Sequence, residues 1–369
     1  MSADTDRTVR RHVDVAVLSV AEDTRDARFH RVIEALDAAG LTTGAAGIGD
    51  PRDLPTTALA TMPTRSDPTR RIPLALRLAW RTDATAVMTL DPAMAIAAWI
   101  VTRWRRQHLV VDVHEDYRAV ISDRRWARNL RTNVARAAVA GATWVARHAD
   151  LTVVADDHVP PTRAKRRLVV RNIPPPESMP RPAPRGPEPR AVYIGSLSAS
   201  RGLDMMLDVL ANAPQWHLDL VGSLGDRDES HLHGQMADLG IEDRVTWHGR
   251  LAPGRAWEVA RGAWLGLALL APTPAYRAAM PTKLYEYAMV GLPVLATDLP
   301  RMRQFVTGQD VGVIVADADE AARRLREWGQ EPASLDRHTA AAATWRRSTE
   351  AASPFRALGR AVADLVASN

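Results

Sequence analysis

The two lysines of the chain are conspicuous because every other basic side chain except histidine is arginine. Lysine occurs only at Lys165, inside the basic run 163–167, and at Lys283. Lys283 lies two residues after Pro281, whose fixed φ suits the first turn of a helix, and three residues before Glu286. A compact ammonium at a helix start, where free N–H groups also point outward, suits the binding of a phosphate or diphosphate.

The elements that must position these residues alternate between strands and helices. Apolar runs in the first half predict strands at 13–20, 86–90, 109–113 and 151–155, with helices at 27–39 and 123–148. The second half predicts strands at 191–195, 216–222, 245–249, 263–271 and 294–296, with helices at 202–211, 228–239, 253–261 and 282–290. Such alternation predicts parallel sheets with helices on both faces.

A Pro-rich stretch separates the two halves and predicts two domains. Eight of the residues in 172–189 are proline, which favours an extended, semi-rigid linker. We therefore predict an N-terminal domain at 1–172, a linker at 173–190 and a C-terminal domain at 191–345. A last helix at 346–369 follows the second domain. Ligands of such sheets bind outside the carboxyl ends of the strands.

Composition excludes several classes of protein. The hydrophobic share of 46% and charged share of 25% are ordinary for a globular protein, and the absence of cysteine excludes disulfides and thiolate metal sites. The polar start 1–11 does not resemble a secretory signal, and the longest apolar run, 93–101, is about half of what spans a bilayer. We expect a cytoplasmic protein, with the inner face of the cell membrane as the alternative location.

Positive charge is concentrated in one part of the chain. The net charge is +5, but 101–171 alone contains 15 Arg and Lys against 7 Asp and Glu. A nucleic-acid-binding protein would be expected to add aromatic stacking motifs or a recognition helix to such a patch. The sequence has neither, so we predict no nucleic-acid partner.

From Tyr193 onward the second half resembles the donor-binding domain of glycosyltransferase family 4. Four segments in the family's order carry the resemblance: Tyr-Ile-Gly at 193–195 with Ser-Arg-Gly at 200–202, Leu-Asp-Leu-Val-Gly at 218–222, Val-Thr-Trp-His-Gly at 245–249, and Pro-Thr-Lys-Leu-Tyr-Glu-Tyr-Ala at 281–288. The first half agrees less specifically, through Asp26, Arg28, Asp91-Pro92 and 111–115. The resemblance implies the GT-B fold, in which two Rossmann-like parallel-sheet domains face a cleft and the C-terminal helix, beginning near Trp345, crosses back to the N-terminal domain.

The resemblance also implies which residues bind a nucleotide-sugar donor. Glu286 would accept hydrogen bonds from the ribose hydroxyls, while the glycines would let the backbone approach the phosphates closely. Arg250 and Leu251 would line the base pocket, and the amides of Met280 and Thr282 would bind the diphosphate at the start of the Pro281 helix. The donor-binding residues are Gly195, Ser196, Gly202, Arg250, Leu251, Met280, Thr282 and Glu286.

Three further residues are implied in catalysis. Arg201 and Lys283 would neutralise the departing diphosphate, since stabilising developing charge is the largest catalytic contribution available without a metal. His114, from the N-terminal domain, would contact the sugar across the cleft. No metal site and no cofactor are predicted, the nucleotide sugar being a substrate. The family's Glu-x7-Glu pattern has Ala278 at its first position, and Ser196 replaces an expected Arg.

We therefore predict a metal-independent glycosyltransferase that uses a UDP- or GDP-sugar and retains the anomeric configuration. An inverting enzyme with Glu115 or Asp116 as the base is the alternative within the class. A nucleotide-sugar epimerase of the same fold and a non-catalytic sugar-nucleotide-binding subunit are the alternatives outside it. The acceptor is not identified by the sequence.

One segment also suggests a peripheral membrane contact. Arg124, Arg125, Arg128, Arg131 and Arg136, with Trp126 among them, lie on a predicted helix that has no acidic residue between 124 and 136. Such a face could contact anionic lipid near a lipid-linked acceptor. A solvated basic face, or one meeting an acidic acceptor, is an equally good interpretation.

Overall fold

The chain divides into two compact units, Met1–Asn172 with Ser353–Asn369 and Ile173–Ala352. This computed structural model describes residues 12–62, 68–114, 117, 130–225, 229–277 and 280–368. The Pro-rich stretch lies in the second unit, where the Gly186 amide donates to the Gly262 carbonyl and the Trp264 indole donates to the Gly186 carbonyl. The predicted linker is thus packed against the domain that follows it.

The first unit is built on a seven-stranded sheet in which every described pair of neighbours is parallel. Its strands are β1 (Val13–Asp23), β2 (Thr43–Ile48), β3 (Thr57–Met62), β4 (Ala84–Thr89), β5 (His108–Val113), β6 (Leu151–Val154) and β7 (Arg167–Val169). The strand order β3-β2-β1-β4-β5-β6-β7 reverses between β1 and β4. The carboxyl ends of these two strands therefore flank the position where such a sheet binds ligands.

Helices cover both faces of this sheet. They are α1 (Ala27–Asp37), α2 (Pro68–Arg81), α3 (Pro92–Arg105) and α4 (Leu130–His148). The first helix packs on one face through Phe29, Val32 and Leu36, and the other three form a layer on the opposite face. The carboxylate of Asp26 caps α1 by accepting from the amides of Arg28 and Phe29. Asp26 therefore fixes where α1 begins.

The second unit repeats this architecture with a six-stranded parallel sheet. Its strands are β8 (Arg190–Ile194), β9 (His217–Val221), β10 (Val245–Trp247), β11 (Leu265–Ala268), β12 (Val294–Thr297) and β13 (Gly312–Val315). The order β10-β9-β8-β11-β12-β13 reverses between β8 and β11. Both units thus have the doubly wound order expected of a Rossmann-like domain.

Eight helices are described in the second unit. They are α5 (Leu203–Ala211), α6 (Glu229–Asp238), α7 (Pro253–Val259), α8 (Pro274–Arg277), α9 (Thr282–Met289), α10 (Pro300–Gly308), α11 (Ala318–Gln330) and α12 (Asp336–Ala351). One sheet face packs on α5, α6 and α11 around Trp216, whose indole donates to the Leu325 carbonyl. The other face packs on α7, α9 and α10. Trp345 of α12 stacks on Tyr285 of α9, with ring centroids 5.9 Å apart.

The chain returns to the first unit at Ser353 and ends in α13 (Pro354–Val366). This helix packs against α1 through Phe355, Leu358 and Val362. Gly359 allows the close approach, because a Cβ there would overlap the Ala35 carbonyl oxygen. Residues 346–351, expected to begin the returning helix, instead belong to α12 in the second unit.

Candidate active site

The candidate site of the second unit lies where the strand order reverses. The loop after β8 and the loop after β11 meet there, and the Ala271 amide donates to the Ser200 carbonyl at 3.0 Å. Helix α9 begins at the end of the second loop. This geometry places the segments 195–202 and 280–286 at the carboxyl edge of the sheet, the usual ligand position in such folds.

Glycines end three adjacent strands at this edge. Gly195 follows β8 with φ +149°, Gly222 follows β9 with φ +151°, and Gly249 lies two residues beyond β10 with φ +65°. A side chain at Gly222 would overlap the Gly195 carbonyl, and the Gly222 amide donates to the Gly249 carbonyl at 2.8 Å. At Gly222 the backbones can approach this closely only because the residue lacks a side chain.

Gly202 joins the loop after β8 to α5. Its φ is +83°, and a Cβ there would overlap the carbonyl oxygen of Leu269 at the end of β11. The preceding residue, Arg201, is half-buried, and its guanidinium carbon lies 6.0 Å from the centroid of the Tyr276 ring. Gly202 therefore fixes the position from which Arg201 projects.

Helix α9 begins without a capping side chain. Pro281 occupies the N-cap position with φ −65°, and no side chain there accepts from the first amides. Met280 and Thr282, on either side, are partly exposed. The first turn therefore presents N–H groups and the positive end of the helix dipole, which favour an anion.

Lys283 is buried at this helix start. The residue is only 5% exposed, and its Nζ lies 3.7 Å from the centroid of the Tyr193 ring. Its Nζ donates no hydrogen bond to any residue that the structure describes. A Cβ at Gly195 would lie 2.9 Å from the same nitrogen, so Gly195 makes room for the amine. Lys283 thus contributes a buried amine whose hydrogen-bonding capacity the described chain does not use.

The surroundings disfavour the charged form of this amine. Burial lowers the pKa of Lys283 well below its usual value, and the Arg201 guanidinium lowers it further, while the Glu286 carboxylate opposes both. Burial also raises the pKa of Tyr193 to about 12, so the neighbouring phenol stays neutral. An anion bound beside Lys283 would compensate the excess of positive charge.

Glu286 lies one turn further along α9 and is partly exposed. The adjacent Tyr287 anchors the helix to the sheet, because its hydroxyl lies within 3.3 Å of the carbonyls of Val192 and Leu267 and accepts from the Ile194 amide. Gly266 makes room for the Tyr287 ring, which a Cβ there would approach to 2.5 Å. The anchor sets the rotation of α9 and hence the direction of Glu286.

The residues expected at the nucleobase follow a more distant strand of the same sheet. Exposed Arg250 and half-buried Leu251 follow β10, two strands from β8 and so about 10 Å across the sheet. The segment is held by His248, whose Nε2 lies 2.7 Å from Asp219 Oδ1, while Arg190 pairs with the other carboxylate oxygen. Lys283, Arg201 and the loop 195–202 therefore lie together. Arg250 and Leu251 lie two strands away from them along the sheet edge.

His114 follows β5 in the first unit. Its side chain is 17% exposed, Nε2 lies 3.6 Å from Glu22 Oε1, and Nδ1 has no hydrogen-bond partner among the described residues. Burial alone would lower the pKa of His114, but the nearby carboxylates of Glu22 and Asp112 outweigh it and raise the pKa. The structure therefore gives His114 a carboxylate partner and an unused ring nitrogen.

Buried carboxylates hold the surrounding strand ends of the first unit. Asp112 and Arg28 form a two-point ion pair at 2.8 Å, both almost fully buried. Asp91 caps α3 through the Met94 amide, and its other oxygen accepts from the hydroxyl of Ser19 within β1. Burial raises the pKa of Asp91 although these hydrogen bonds oppose the shift.

Several predicted positions lie outside the described residues. They are the alternative bases Glu115 and Asp116, the family position at Ala278, and the arginines 124–128 with Trp126.

In the part of the chain that the structure does describe, no three His, Asp or Glu side chains group as a metal site. No helix described there is long and apolar enough to cross a membrane.

Residues 176–345 match the family described as "Glycosyl transferases group 1". This segment includes nearly all of the second unit and its candidate site. The segment is a glycosyltransferase domain. The prediction of a glycosyltransferase is thereby confirmed, whereas the finer assignment to family 4 stays a prediction. No curated protein matches the chain.

Solved structures with the same architecture are similar over nearly the whole chain. The sucrose-phosphate synthase of Thermosynechococcus elongatus is similar over 95% of this chain and 98% of its own, with 16% identity and a TM-score of 0.72. HepE of Anabaena, in complex with UDP and glucose, is similar over 97% and 100%, with 16% identity and a TM-score of 0.70. The galactosyltransferase WaaB, which acts on the lipopolysaccharide outer core, is similar over 95% and 98%, with 15% identity and a TM-score of 0.60. At such identities the likeness shows the fold, and the predicted GT-B fold is confirmed.

Three side chains beside the predicted site residues were not predicted, two in the second unit and one in the first. Tyr193 was only a strand residue in the sequence, yet its ring covers the Lys283 amine. Tyr287 lay inside the signature segment, and Glu22 lay beyond the predicted end of β1. An aromatic residue two positions before a loop glycine was the only available signal for Tyr193.

Proposed function

We propose that the protein transfers a sugar from a UDP- or GDP-sugar to an acceptor. The observation that carries this proposal is the Lys283 amine, buried against Gly195 at an uncapped helix start and without a hydrogen-bond partner in the described chain. A diphosphate supplies the charge and the acceptor oxygens that this arrangement lacks. The match of 176–345 to a glycosyl transferase family supports the same donor class.

Each remaining group of the site then has a role in this proposal. The first amides of α9 and Lys283 hold the diphosphate, and Arg201 adds a second cation beside it. Glu286 accepts hydrogen bonds from the ribose hydroxyls, and Arg250 and Leu251 contact the base. His114 contacts the sugar, as the family resemblance implies.

The transfer itself exchanges one bond for another at the anomeric carbon. The bond from that carbon to the diphosphate breaks, and the diphosphate leaves with the electron pair while Lys283 and Arg201 stabilise its charge. A hydroxyl oxygen of the acceptor bonds to the carbon, and its proton passes to the departing phosphate. We propose that this happens on one face of the sugar, with the retention that the family resemblance implies. We also propose that no metal ion is needed, because two cationic side chains and a helix start serve the diphosphate.

A binding panel followed by product analysis tests the donor. Because a ligand that binds only the folded state raises its stability, we expect one of UDP-, GDP- or dTDP-sugars to raise the melting temperature in the presence of EDTA. HepE is described with UDP-glucose, so UDP-sugars come first. Release of nucleoside diphosphate with a glycosylated or hydrolysed sugar supports the proposal. Interconverted UDP-sugars without any transfer would indicate an epimerase, and binding without turnover a non-catalytic subunit.

The location of the protein stays a prediction. A cytoplasmic site with a peripheral contact through the Arg124–Arg136 segment remains our proposal, supported by the charge of that segment. Vesicle flotation of the variant Arg124→Gln/Arg128→Gln, compared with the unchanged protein, tests it. Equal binding of both proteins to anionic vesicles would exclude that segment.

A further inference from the structure

The helix layer on one face of the first unit has an unusual charge. In sequence, α2, α3 and α4 contain nine arginines and no aspartate or glutamate. The three helices pack side by side, α2 on α3 and α3 on α4. We call these helices the arginine layer. Their arginines therefore give one continuous surface a positive charge that no acid within the layer offsets.

The same layer carries the exposed apolar side chains. In the described part of the chain, all five large hydrophobic residues with exposed side chains belong to it. They are Ile72 (40% exposed), Trp80 (56%), Ile100 (50%), Trp104 (80%) and Trp144 (51%). Isolated exposed apolar residues are normal on proteins, but such a concentration marks an interaction surface.

The exposed side chains are organised rather than scattered. Leu76, Trp80, Ile100 and Trp104 line one groove between α2 and α3, together with Arg77. Beside it, the Arg103 guanidinium covers the Trp99 ring at 4.2 Å, and Trp99 in turn meets Trp144 edge-on at 5.3 Å. Tryptophan and aliphatic side chains flanked by arginine are the composition of a surface that lies in a lipid interface.

We propose that the arginine layer binds the surface of a membrane that contains anionic lipid. A second copy of the chain would bring two such arginine surfaces together, and the repulsion opposes that pairing. Nucleic acid would use the arginines, but it offers little to Ile72, Ile100 and Leu76, which cannot stack on bases. Lipid satisfies both classes of side chain, because acyl chains accept the apolar residues and headgroup phosphates pair with the guanidinium groups.

Flotation with vesicles tests this surface without any donor or acceptor, so its outcome is independent of the proposed sugar transfer. The full-length protein is mixed with vesicles of phosphatidylglycerol and phosphatidylcholine, or of phosphatidylcholine alone. We expect binding to the anionic vesicles only, weakened at about 0.5 M salt because screening shortens the reach of the charges. Trp80→Ser/Trp104→Ser should lower the vesicle affinity at least about tenfold, since the rings can no longer insert.

A charge variant and a matched control complete the experiment. Arg77→Gln/Arg147→Gln removes two exposed cations of the arginine layer and should lower the affinity about tenfold or more. Arg356→Gln/Arg360→Gln removes the same charge from exposed positions of α13, on the opposite face of the sheet, and should change it less than about twofold. Circular dichroism confirms that all variants fold. Absence of vesicle binding at low salt, equal loss in the control, or binding only to nucleic acid would overturn the proposal.

Discussion

Replacing Lys283 by methionine separates what the residue does for stability from what it does for a ligand. Methionine has about the length and volume of the lysine stem but no charge, so the Tyr193 ring keeps an apolar neighbour. Lys283 is only 5% exposed, and the amine that the variant lacks donates no hydrogen bond to the described chain and lies 3.7 Å from the centroid of the Tyr193 ring. These contacts therefore determine whether the substitution raises or lowers stability and ligand affinity.

The amine costs the free protein stability. Its contact with Tyr193 is worth about 2 kcal/mol when the amine is charged, the scale of a desolvated cation–π pair. Burying the charge costs several kcal/mol, and leaving even a neutral buried donor unsatisfied costs about 1–3 kcal/mol. The penalty exceeds the gain, so Lys283→Met should raise the free energy of unfolding by roughly 1–3 kcal/mol.

The pH dependence of stability has a definite sign. Because the pKa of Lys283 is lowered in the folded state, the unfolded chain holds a proton that the folded chain gives up between that lowered pKa and the usual value of 10.5. Stability therefore rises with pH across this window. The variant should lack that rise, which unfolding in urea at several pH values would detect.

With rising pH, affinity for the donor should change in the opposite direction to stability. A bound diphosphate restores the pKa of Lys283, with Arg201 and Glu286 as the other charged groups facing it. Binding then takes up a proton, and UDP affinity falls as pH rises through the window. Losing this contact should cost about 1.5–3 kcal/mol, roughly 10- to 150-fold in affinity. Calorimetry in two buffers of different ionisation enthalpy measures both affinity and proton uptake.

One result would refute this reasoning as a whole. If Lys283→Met were less stable than the unchanged protein and bound UDP equally well, the amine would be structural and its burial favourable. Arg347→Met, at an exposed position of α12, is the matched control for removing a cation from the same unit. Turnover should fall about 100-fold or more in Lys283→Met and stay unchanged in the control.

Three further predictions concern other parts of the site. Glu286→Ala should weaken nucleotide binding by about 1.5–3 kcal/mol, and unchanged calorimetric affinity for UDP and GDP would remove it from the ribose site. His114→Ala should keep nucleotide affinity but lose turnover, and Glu22→Gln should lower the pKa of His114, measured by NMR, because the raising carboxylate is gone. Normal turnover in His114→Ala would leave that residue structural. Gly202→Ala should lower the melting temperature, because its Cβ would overlap the Leu269 carbonyl at a φ of +83°; an unchanged melting temperature would contradict the crowding.

The sequence predicted the strands near the site well because they are short apolar runs that end in glycine. Residues 191–195, 216–222 and 245–249 all correspond to observed strands, and the helix predicted at 282–290 is α9 to within one residue. By contrast, β2 (Thr43–Ile48) is rich in glycine and alanine and has little intrinsic preference for a strand. Its extended form follows from tertiary packing, because all six residues are buried in the sheet between β1 and β3.

From the sequence, the layout of the site could be predicted only for residues that are close together along the chain. The spacing of Lys283 and Glu286 indicated one helix, and the glycines indicated a loop. That Lys283 lies against Gly195, some 90 positions away, depends on the parallel order of β8 and β11 and on the anchor of Tyr287. Local patterns do not specify such long-range contacts, whereas the resemblance to a family supplied the expectation that the two segments share a ligand.

The choice of lysine at position 283 now has a physical reason. Apart from histidine, every other basic side chain of the sequence except Lys165 is arginine. Lys165 is exposed and pairs with Asp150. The amine of Lys283 lies between Gly195 on one side, where a Cβ would be only 2.9 Å away, and the Tyr193 ring on the other. A planar guanidinium is larger and would meet one of these boundaries, so the narrow pocket selects the compact ammonium. The same narrowness keeps the amine from water, which costs stability in the free protein and strengthens its attraction to a bound diphosphate.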